Sequence, residues 1–147
     1  MINMDLEKAY DRISWEYFLA VVGKMGLGSA FVGMVQTLFR NASATIQVNG
    51  YTSDSFLLAR SVRQGCPLAP LLFAMATDPL LRNLDVLIQK NAIKALPLPQ
   101  NQSFVAQLFA DDNCNIVRYE NESISKLMQV YEDFCAVSGS RIAPHKT

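Results

Sequence analysis

Apolar residues recur at helical spacing in four segments of this chain, and residues that favour helix ends flank several of them. Ser14 suits an N-cap, while Gly26 and Gly139 suit the position just past a helix. The third segment is expected to pause at Asp78-Pro79, because proline can open a new helix with aspartate as its cap. The predicted helices run from Ser14 to Gly26, from Ser29 to Arg40, from Pro70 to Gln89 and from Ile124 to Gly139.

Shorter stretches carry strand signals. Asn49-Gly50 is a strong hairpin turn, and alternating residues precede it while apolar residues follow it. The predicted strands are a stub that ends before Asp5, residues 44–48, residues 56–58, residues 104–109 and residues 116–117. Together with the helices, they predict an α+β fold in which a small antiparallel sheet is backed by helices.

Composition limits the classes of function. The 147 residues fit one domain, and half of them are apolar, so the chain is expected to fold and to expose some apolar surface that a missing region would cover. The 13 basic residues balance the 13 acidic ones, so charge alone gives no sign of a nucleic-acid surface. Three cysteines without a C-x-x-C spacing indicate reduced thiols in an intracellular protein. The most apolar run, Leu68 to Ala76, is too short to span a bilayer, so no membrane partner is expected.

The segment Phe109-Ala-Asp-Asp112 places two acidic residues between two predicted strands. Neighbouring carboxylates repel each other, and a divalent cation removes that repulsion. Mg²⁺ prefers carboxylate oxygens and retains positions for substrate phosphates. A solvated turn is the simpler alternative, because aspartate favours turns through local hydrogen bonds. From these four residues alone, both interpretations stay open.

Two other segments are equally ambiguous when taken singly. Asp5-Leu-Glu-Lys-Ala-Tyr-Asp11 follows a short apolar stub, and its acidic residues could simply begin a helix. Arg63-Gln-Gly-Cys-Pro-Leu-Ala-Pro70 is a polar turn that leads into an apolar helix, and its prolines could serve only to fix the entry angle. Gly65 would allow close approach of another group to the backbone.

In their order and their residues, the three segments resemble the palm motifs of reverse transcriptases from non-LTR (LINE-type) retrotransposons. Residues 5–11 look like motif A, residues 63–70 like motif B, and residues 109–112 like motif C. Residues 138–147 are similar to motif D, so the resemblance covers almost the whole chain. It implies that residues 1–147 are part of a reverse transcriptase domain, the palm with motifs A to D.

The resemblance implies an RNA-directed DNA polymerase that adds dNTPs to a primer 3′-hydroxyl with two Mg²⁺ ions, for which Mn²⁺ could substitute. Tyr10 would lie under the incoming sugar and exclude a 2′-hydroxyl, and Lys146 would protonate the pyrophosphate. The implied metal-site residues are Asp5, Leu6, Asp111 and Asp112. The implied catalytic residues are Asp5, Asp111, Asp112 and Lys146. The implied substrate-binding residues are Tyr10, Arg63, Gln64 and Gly65.

Some features depart from the family's pattern. Ser61 stands where glycine is usual, which is expected to stiffen or shift the approach to motif B. Ser140 and Ala143 replace a larger apolar residue and asparagine, which affects the turn presenting Lys146. The family's fingers and thumb regions, which would hold the RNA template and the DNA primer, are expected to lie outside this sequence. The alternatives are a catalytically inactive relic that binds nucleic acid or protein weakly, and an RNA-templated RNA polymerase, which Tyr10 and Ala110 disfavour.

Overall fold

The computed structural model describes residues 2–62, 65–97, 103–104, 106–109 and 112–143, and it describes the strand residues from 96 to 113 by their backbone. Helices and small antiparallel sheets are both present, so the predicted α+β class is confirmed. The helices of this part of the chain are α1 (Ala9–Arg12), α2 (Trp15–Lys24), α3 (Ser29–Phe39), α4 (Ala69–Gln89) and α5 (Asn121–Ser138).

The strands of the described residues are β1 (Ile2–Asp5), β2 (Ser43–Ala44), β3 (Gln47–Val48), β4 (Tyr51–Thr52), β5 (Phe56–Leu57), β6 (Leu96–Pro97), β7 (Ser103–Phe104), β8 (Ala106–Phe109) and β9 (Asp112–Asn115). They form one three-stranded sheet and three two-stranded ladders, all antiparallel. In the three-stranded sheet, β9 lies between β1 and β8. The sheet therefore joins the beginning of the chain to a segment near its end.

The predicted helix ends are largely confirmed. The Ser14 hydroxyl accepts a hydrogen bond from the Tyr17 backbone N–H at 3.4 Å, as expected of an N-cap. At the end of α5, Gly139 has a φ of 79°, and its N–H donates to the Cys135 carbonyl at 3.1 Å. This left-handed cap is the conformation for which a glycine was predicted.

The predicted hairpin around Asn49-Gly50 is also confirmed. Strands β3 and β4 pair directly across this turn, and β2 pairs with β5 farther out. Asn49 and Gly50 have φ values of 49° and 83°, as a two-residue turn with right-handed strand twist requires. Apolar side chains of this hairpin are exposed, among them Tyr51 at 84% and Leu57 at 75%.

The predicted pause at Asp78-Pro79 is wrong, because α4 is continuous through Pro79. Proline removes one backbone hydrogen bond from a helix interior and crowds the preceding turn. Burial on both sides of this position offsets that cost, since Ala76 and Leu80 are both in the core. The Tyr17 hydroxyl also donates to the Ala76 carbonyl at 2.8 Å, which ties α2 to this turn of α4. Burial raises the pKa of Tyr17 to about 12.

The predicted position of the strand that follows Asp111 is wrong. It was predicted at Ile116-Val117, but β9 begins at Asp112 and ends at Asn115. Val117 makes only an isolated bridge to Ala95. Ile116 and Val117 lie in the segment between β9 and α5. Val117 is buried in the core from that segment, so its apolar character reflects core packing outside the strand.

The core lies where α2, α4 and α5 pack together beneath the three-stranded sheet. Trp15 is partly buried and stacks on Phe39 with ring centroids 5.2 Å apart. Fully buried members of the core include Met4 from β1, Phe18 from α2, Leu80 from α4 and Tyr131 from α5. This packing fixes the sheet against the helices. None of the described helices has the length and apolar character needed to cross a membrane.

Ser61 has a φ of 98°, in the left-handed region that favours glycine. Its carbonyl accepts a hydrogen bond from the Trp15 indole N–H at 2.9 Å, and its N–H donates to the Ile13 carbonyl at 3.1 Å. Both hydrogen bonds hold the Ser61 backbone against the segment that joins α1 to α2. The departure from glycine noted in the sequence therefore falls at a strained position.

Ser61→Gly is expected to stabilise the chain by about 1 kcal/mol, because it removes strain of about 1–3 kcal/mol and adds some unfolded-state entropy. Urea denaturation followed by circular dichroism measures the change. Ser55→Gly is the matched control, since Ser55 is an exposed loop residue and is not among the described residues with positive φ. It is expected to lower stability slightly. Equal effects of the two substitutions would argue against strain at Ser61.

Candidate functional site

The ends of β1 and β9 bring motif A and motif C together. Their register places Asp5 directly opposite Asp112. Cα atoms of directly opposed residues in antiparallel strands lie about 4.5–5.5 Å apart. The two aspartates belong to segments more than a hundred residues apart in sequence, so only the fold makes them neighbours.

Tyr10 connects motif A to the helix that follows motif B. Its ring stacks on the buried Phe73 ring of α4, with centroids 4.6 Å apart and planes inclined by 23°. Tyr10 itself is only partly buried. One face of the ring is thus held by the core while part of the residue remains accessible.

Backbone hydrogen bonds hold the approach to motif B against motif A. The Val62 N–H donates to the Tyr10 carbonyl at 2.7 Å, and Ser14 forms an isolated bridge with Arg60. Gly65 follows with a φ of 84°, and a Cβ added there would meet no atom of the described chain within 4 Å. The open space at Gly65 is compatible with close approach of another group to its backbone.

The segment resembling motif D pairs with the beginning of motif A. The Ala143 N–H donates to the Asp5 carbonyl at 2.9 Å, and the Glu7 N–H donates to the Arg141 carbonyl at 2.8 Å. Between these bonds, Leu6 forms a bridge with Ile142. The Leu6 side chain is buried in the core, so the backbone carbonyl is the only group of this residue that could serve as a metal ligand.

Several predicted site residues lie outside the described residues, namely Arg63, Gln64, Asp111 and Lys146. Asp112 is described through its backbone in β9. The described part of the site thus contains Asp5, Leu6, Tyr10, Gly65 and the backbone of Asp112. Their predicted roles stay predictions.

A buried polar pair behind the sheet was not predictable from the sequence. Asn115 at the end of β9 and Tyr131 in α5 both have 0% exposure. The Asn115 amide donates to the Tyr131 hydroxyl at 3.0 Å, and that hydroxyl lies 3.2 Å from the Asn115 Oδ1, to which it donates. Burial raises the pKa of Tyr131 to about 12. A buried asparagine in a strand is detectable only after the strand's pairing is known.

The donor chemistry of the site suits a hard divalent cation. Aspartate carboxylates are the ligands that Mg²⁺ prefers, and the register of β1 and β9 brings two aspartate positions together. Within the described residues, no three histidine, cysteine or acidic side chains form a cluster that could hold a metal. Asp111 and the Asp112 side chain are not part of that comparison. Aspartates are the residue type that a magnesium site uses, and the magnesium site itself stays a prediction.

Comparison with known families decides the class of this chain. Residues 1–147 match the family described as reverse transcriptase (RNA-dependent DNA polymerase). The chain belongs to the reverse transcriptase family. The family predicted from the three motifs is thereby confirmed.

Proteins similar to this reverse transcriptase chain are named after transposons and retrotransposable elements. It is 27% identical over 141 residues to the transposon TX1 uncharacterized 149 kDa protein of Xenopus laevis, a match that covers 96% of this chain and 10% of that protein. It is 35% identical over 82 residues to the retrovirus-related Pol polyprotein from the type-2 retrotransposable element R2DM of Drosophila melanogaster, covering 56% of this chain and 8% of the polyprotein. The reverse transcriptase chain thus spans about a tenth of the length of these relatives.

Proposed function

We propose that this chain is the catalytic palm of an RNA-directed DNA polymerase and that its parent enzyme extends a DNA primer on an RNA template. The observation that carries the proposal is the register that sets Asp5 opposite Asp112. A polymerase needs carboxylates from motif A and motif C at one site. The pairing of β1 with β9 supports such a site.

Asp5, Asp111 and Asp112 would hold Mg²⁺, with the Leu6 carbonyl beside them. When bound, divalent cations activate the primer hydroxyl and neutralise charge on the leaving pyrophosphate. The contribution of this chain is to hold the carboxylates at fixed positions. Strand pairing, the bridge between Leu6 and Ile142 and the buried Met4 side chain all restrict motion of Asp5.

The other site residues would bind the nucleotide. Tyr10 would lie under the deoxyribose. This role is supported by the stacking of its ring on the Phe73 ring, which restricts the orientation of Tyr10. Arg63, Gln64 and the Gly65 backbone would contact the incoming nucleotide. Lys146 would donate a proton to the pyrophosphate, which a mobile ammonium can do.

Template and primer would be held by fingers and thumb regions elsewhere in the parent protein. The balance of 13 basic and 13 acidic residues gives this chain no broad positive channel for several phosphates. Positioning of the primer end, template and triphosphate supplies most of the catalysis in phosphoryl transfer. The chain alone is therefore expected not to extend a primer.

Primer extension tests the proposal. Two proteins are compared on an RNA template with a DNA primer, dNTPs and Mg²⁺: the isolated chain, and a chimaera in which the chain replaces the matching segment of a related reverse transcriptase. The chimaera is expected to synthesise DNA and the isolated chain is not. A folded but silent chimaera would contradict the proposal and favour a relic. Robust synthesis by the isolated chain would refute the need for fingers and thumb.

Tyr10→Val is expected to let the chimaera incorporate ribonucleotides, because it opens space beside the 2′-position of the sugar. The measurement is the ratio of the extension rates with dNTP and with rNTP. Tyr10→Phe is the matched control, since it keeps the ring and its stacking on Phe73, and it should preserve discrimination. If Tyr10→Val lowers both rates equally, the residue serves only to pack against α4.

A further inference from the structure

The strand that carries Asp5 is short and lies at a sheet edge. In the part of the chain that the structure describes, β1 has four residues and pairs with β9 on one side. On the other side, the Ala143 N–H donates to the Asp5 carbonyl, and Leu6 forms a bridge with Ile142. A strand of this length has few ladder hydrogen bonds, so contacts outside the ladder add to what holds Asp5 in position.

The buried side-chain amide of Asn115 forms hydrogen bonds with both β1 and α5. Besides bonding Tyr131, its Nδ2 donates to the Ile2 carbonyl at 3.4 Å, and Ile2 is the residue opposite Asn115 in the sheet. One side chain of β9 therefore joins the start of β1 to helix α5. At the opposite end of the same strand pair, Asp5 faces Asp112.

The apolar pattern alone does not replace this connection. Ile2 and Met4 direct β1 toward the core, and Asn3 is exposed, so the pattern sets which face of the strand is inward. It does not set how firmly the strand is held or how far it can slide along β9. The Asn115 amide limits both, because sliding of β1 would take the Ile2 carbonyl out of reach of Nδ2, and the hydrogen bonds with Tyr131 hold the amide in the orientation that reaches it.

We propose that the Asn115–Tyr131 pair is a positioning unit that couples helix α5 to β1 and β9 and fixes where Asp5 stands relative to Asp112. Asn115 and Tyr131 do not touch substrate; they act through the two strands. The importance for a metal site rests on the proposed function, whereas the coupling of the strands does not. The two parts are tested by different measurements.

The chain provides its own reporter of strand pairing. Asn3 lies directly opposite the native Cys114, and opposed antiparallel residues have Cα separations of about 4.5–5.5 Å, within the range for a disulfide. Asn3 is exposed and Cys114 is partly exposed, so an oxidant can reach both positions. In the Asn3→Cys chain, disulfide formation measures the pairing of β1 with β9. Adding Cys114→Ser shows the background from Cys66 and Cys135.

Tyr131→Phe removes one hydroxyl and leaves the ring, so it is the primary variant. Ser123→Ala is its matched control, because Ser123 is buried in the same helix and its hydroxyl accepts from the Lys94 N–H at 3.1 Å, away from β1 and β9. Tyr131→Phe is expected to slow cross-linking about fivefold, because loss of both hydrogen bonds between the hydroxyl and Asn115 leaves the amide less well oriented toward Ile2. Asn115→Leu is expected to slow it further. Ser123→Ala should leave the rate unchanged even if it lowers the melting temperature.

In the chimaera, Tyr131→Phe is expected to raise the Mg²⁺ concentration for half-maximal extension about fivefold, with the KM for dNTP unchanged. A purely structural role would lower the active fraction without shifting the Mg²⁺ dependence. Cross-linking at the parent rate in Tyr131→Phe, or equal slowing by Ser123→Ala, would overturn the proposal even if Asn115→Leu fails to fold. If the unmodified chimaera is silent, the proposed function fails and cross-linking alone decides whether the pair positions β1.

Discussion

Asp5→Asn is expected to reduce primer extension by the chimaera about a thousandfold or more, equivalent to about 4 kcal/mol of transition-state stabilisation. The substitution keeps the shape of the side chain and removes the charge that would attract Mg²⁺. Because β1 remains paired with β9, the loss should appear in kcat and not in stability. Asp111→Asn is expected to have an effect of the same size. The rate is measured in single-turnover extension at saturating dNTP.

Asp11→Asn is the matched control in motif A. Asp11 is exposed, and its carboxylate accepts a long hydrogen bond from the Ser61 hydroxyl at 3.4 Å. Removing its charge should change the rate by no more than about twofold, as expected for a surface interaction. If Asp5→Asn and Asp11→Asn reduce extension equally, the effect is general to the segment and the metal assignment of Asp5 is wrong.

Gly139→Ala is expected to destabilise the chain by about 2–3 kcal/mol. Its φ of 79° is costly for a residue with a side chain, by roughly 1–2 kcal/mol. An added Cβ would also lie 3.1 Å from the Arg12 carbonyl oxygen. That oxygen belongs to the backbone of α1. Just after α1, the Ser14 N–H donates to the Ser138 carbonyl of α5 at 2.9 Å, which holds the two segments together. The clash therefore cannot be relieved by a side-chain rotation, and the loss is measured by urea denaturation.

Gly26→Ala separates the two contributions. Gly26 has a similar φ of 71°, but no atom of the described chain lies within 4 Å of an added Cβ. Its loss should be about 1 kcal/mol, from the backbone conformation alone. Equal losses at Gly26 and Gly139 would mean that α5 does not pack closely on α1.

Local signals in the sequence predicted the ends of elements well. Three such signals are the N-cap Ser14, the turn Asn49-Gly50 and the C-cap Gly139. Each affects only residues within four positions, so its effect can be predicted without knowledge of the fold. The prediction failed at Pro79 because burial of α4 on both sides of the proline outweighs the local preference. Propensity is a weak guide where packing decides.

The candidate site was predictable only in part, and for a related reason. The motifs identified Asp5 and Asp112, but no spacing in the sequence states that these residues stand opposite each other. Register depends on the packing of the whole sheet against the core. Asn115 was missed because its importance comes from Tyr131, a residue of a different element.

The sheet carrying the candidate site joins two segments that lie more than a hundred residues apart along the chain. Closing so long a loop costs conformational entropy before any contact in the sheet compensates for it, whereas α2 and α3 contact each other through nearby residues. We therefore expect the helices to assemble first and β1 to join last. By the same reasoning, local opening of β1 would detach Asp5 while the helices stay folded. Catalytic competence would then be lost at a lower denaturant concentration than helical structure.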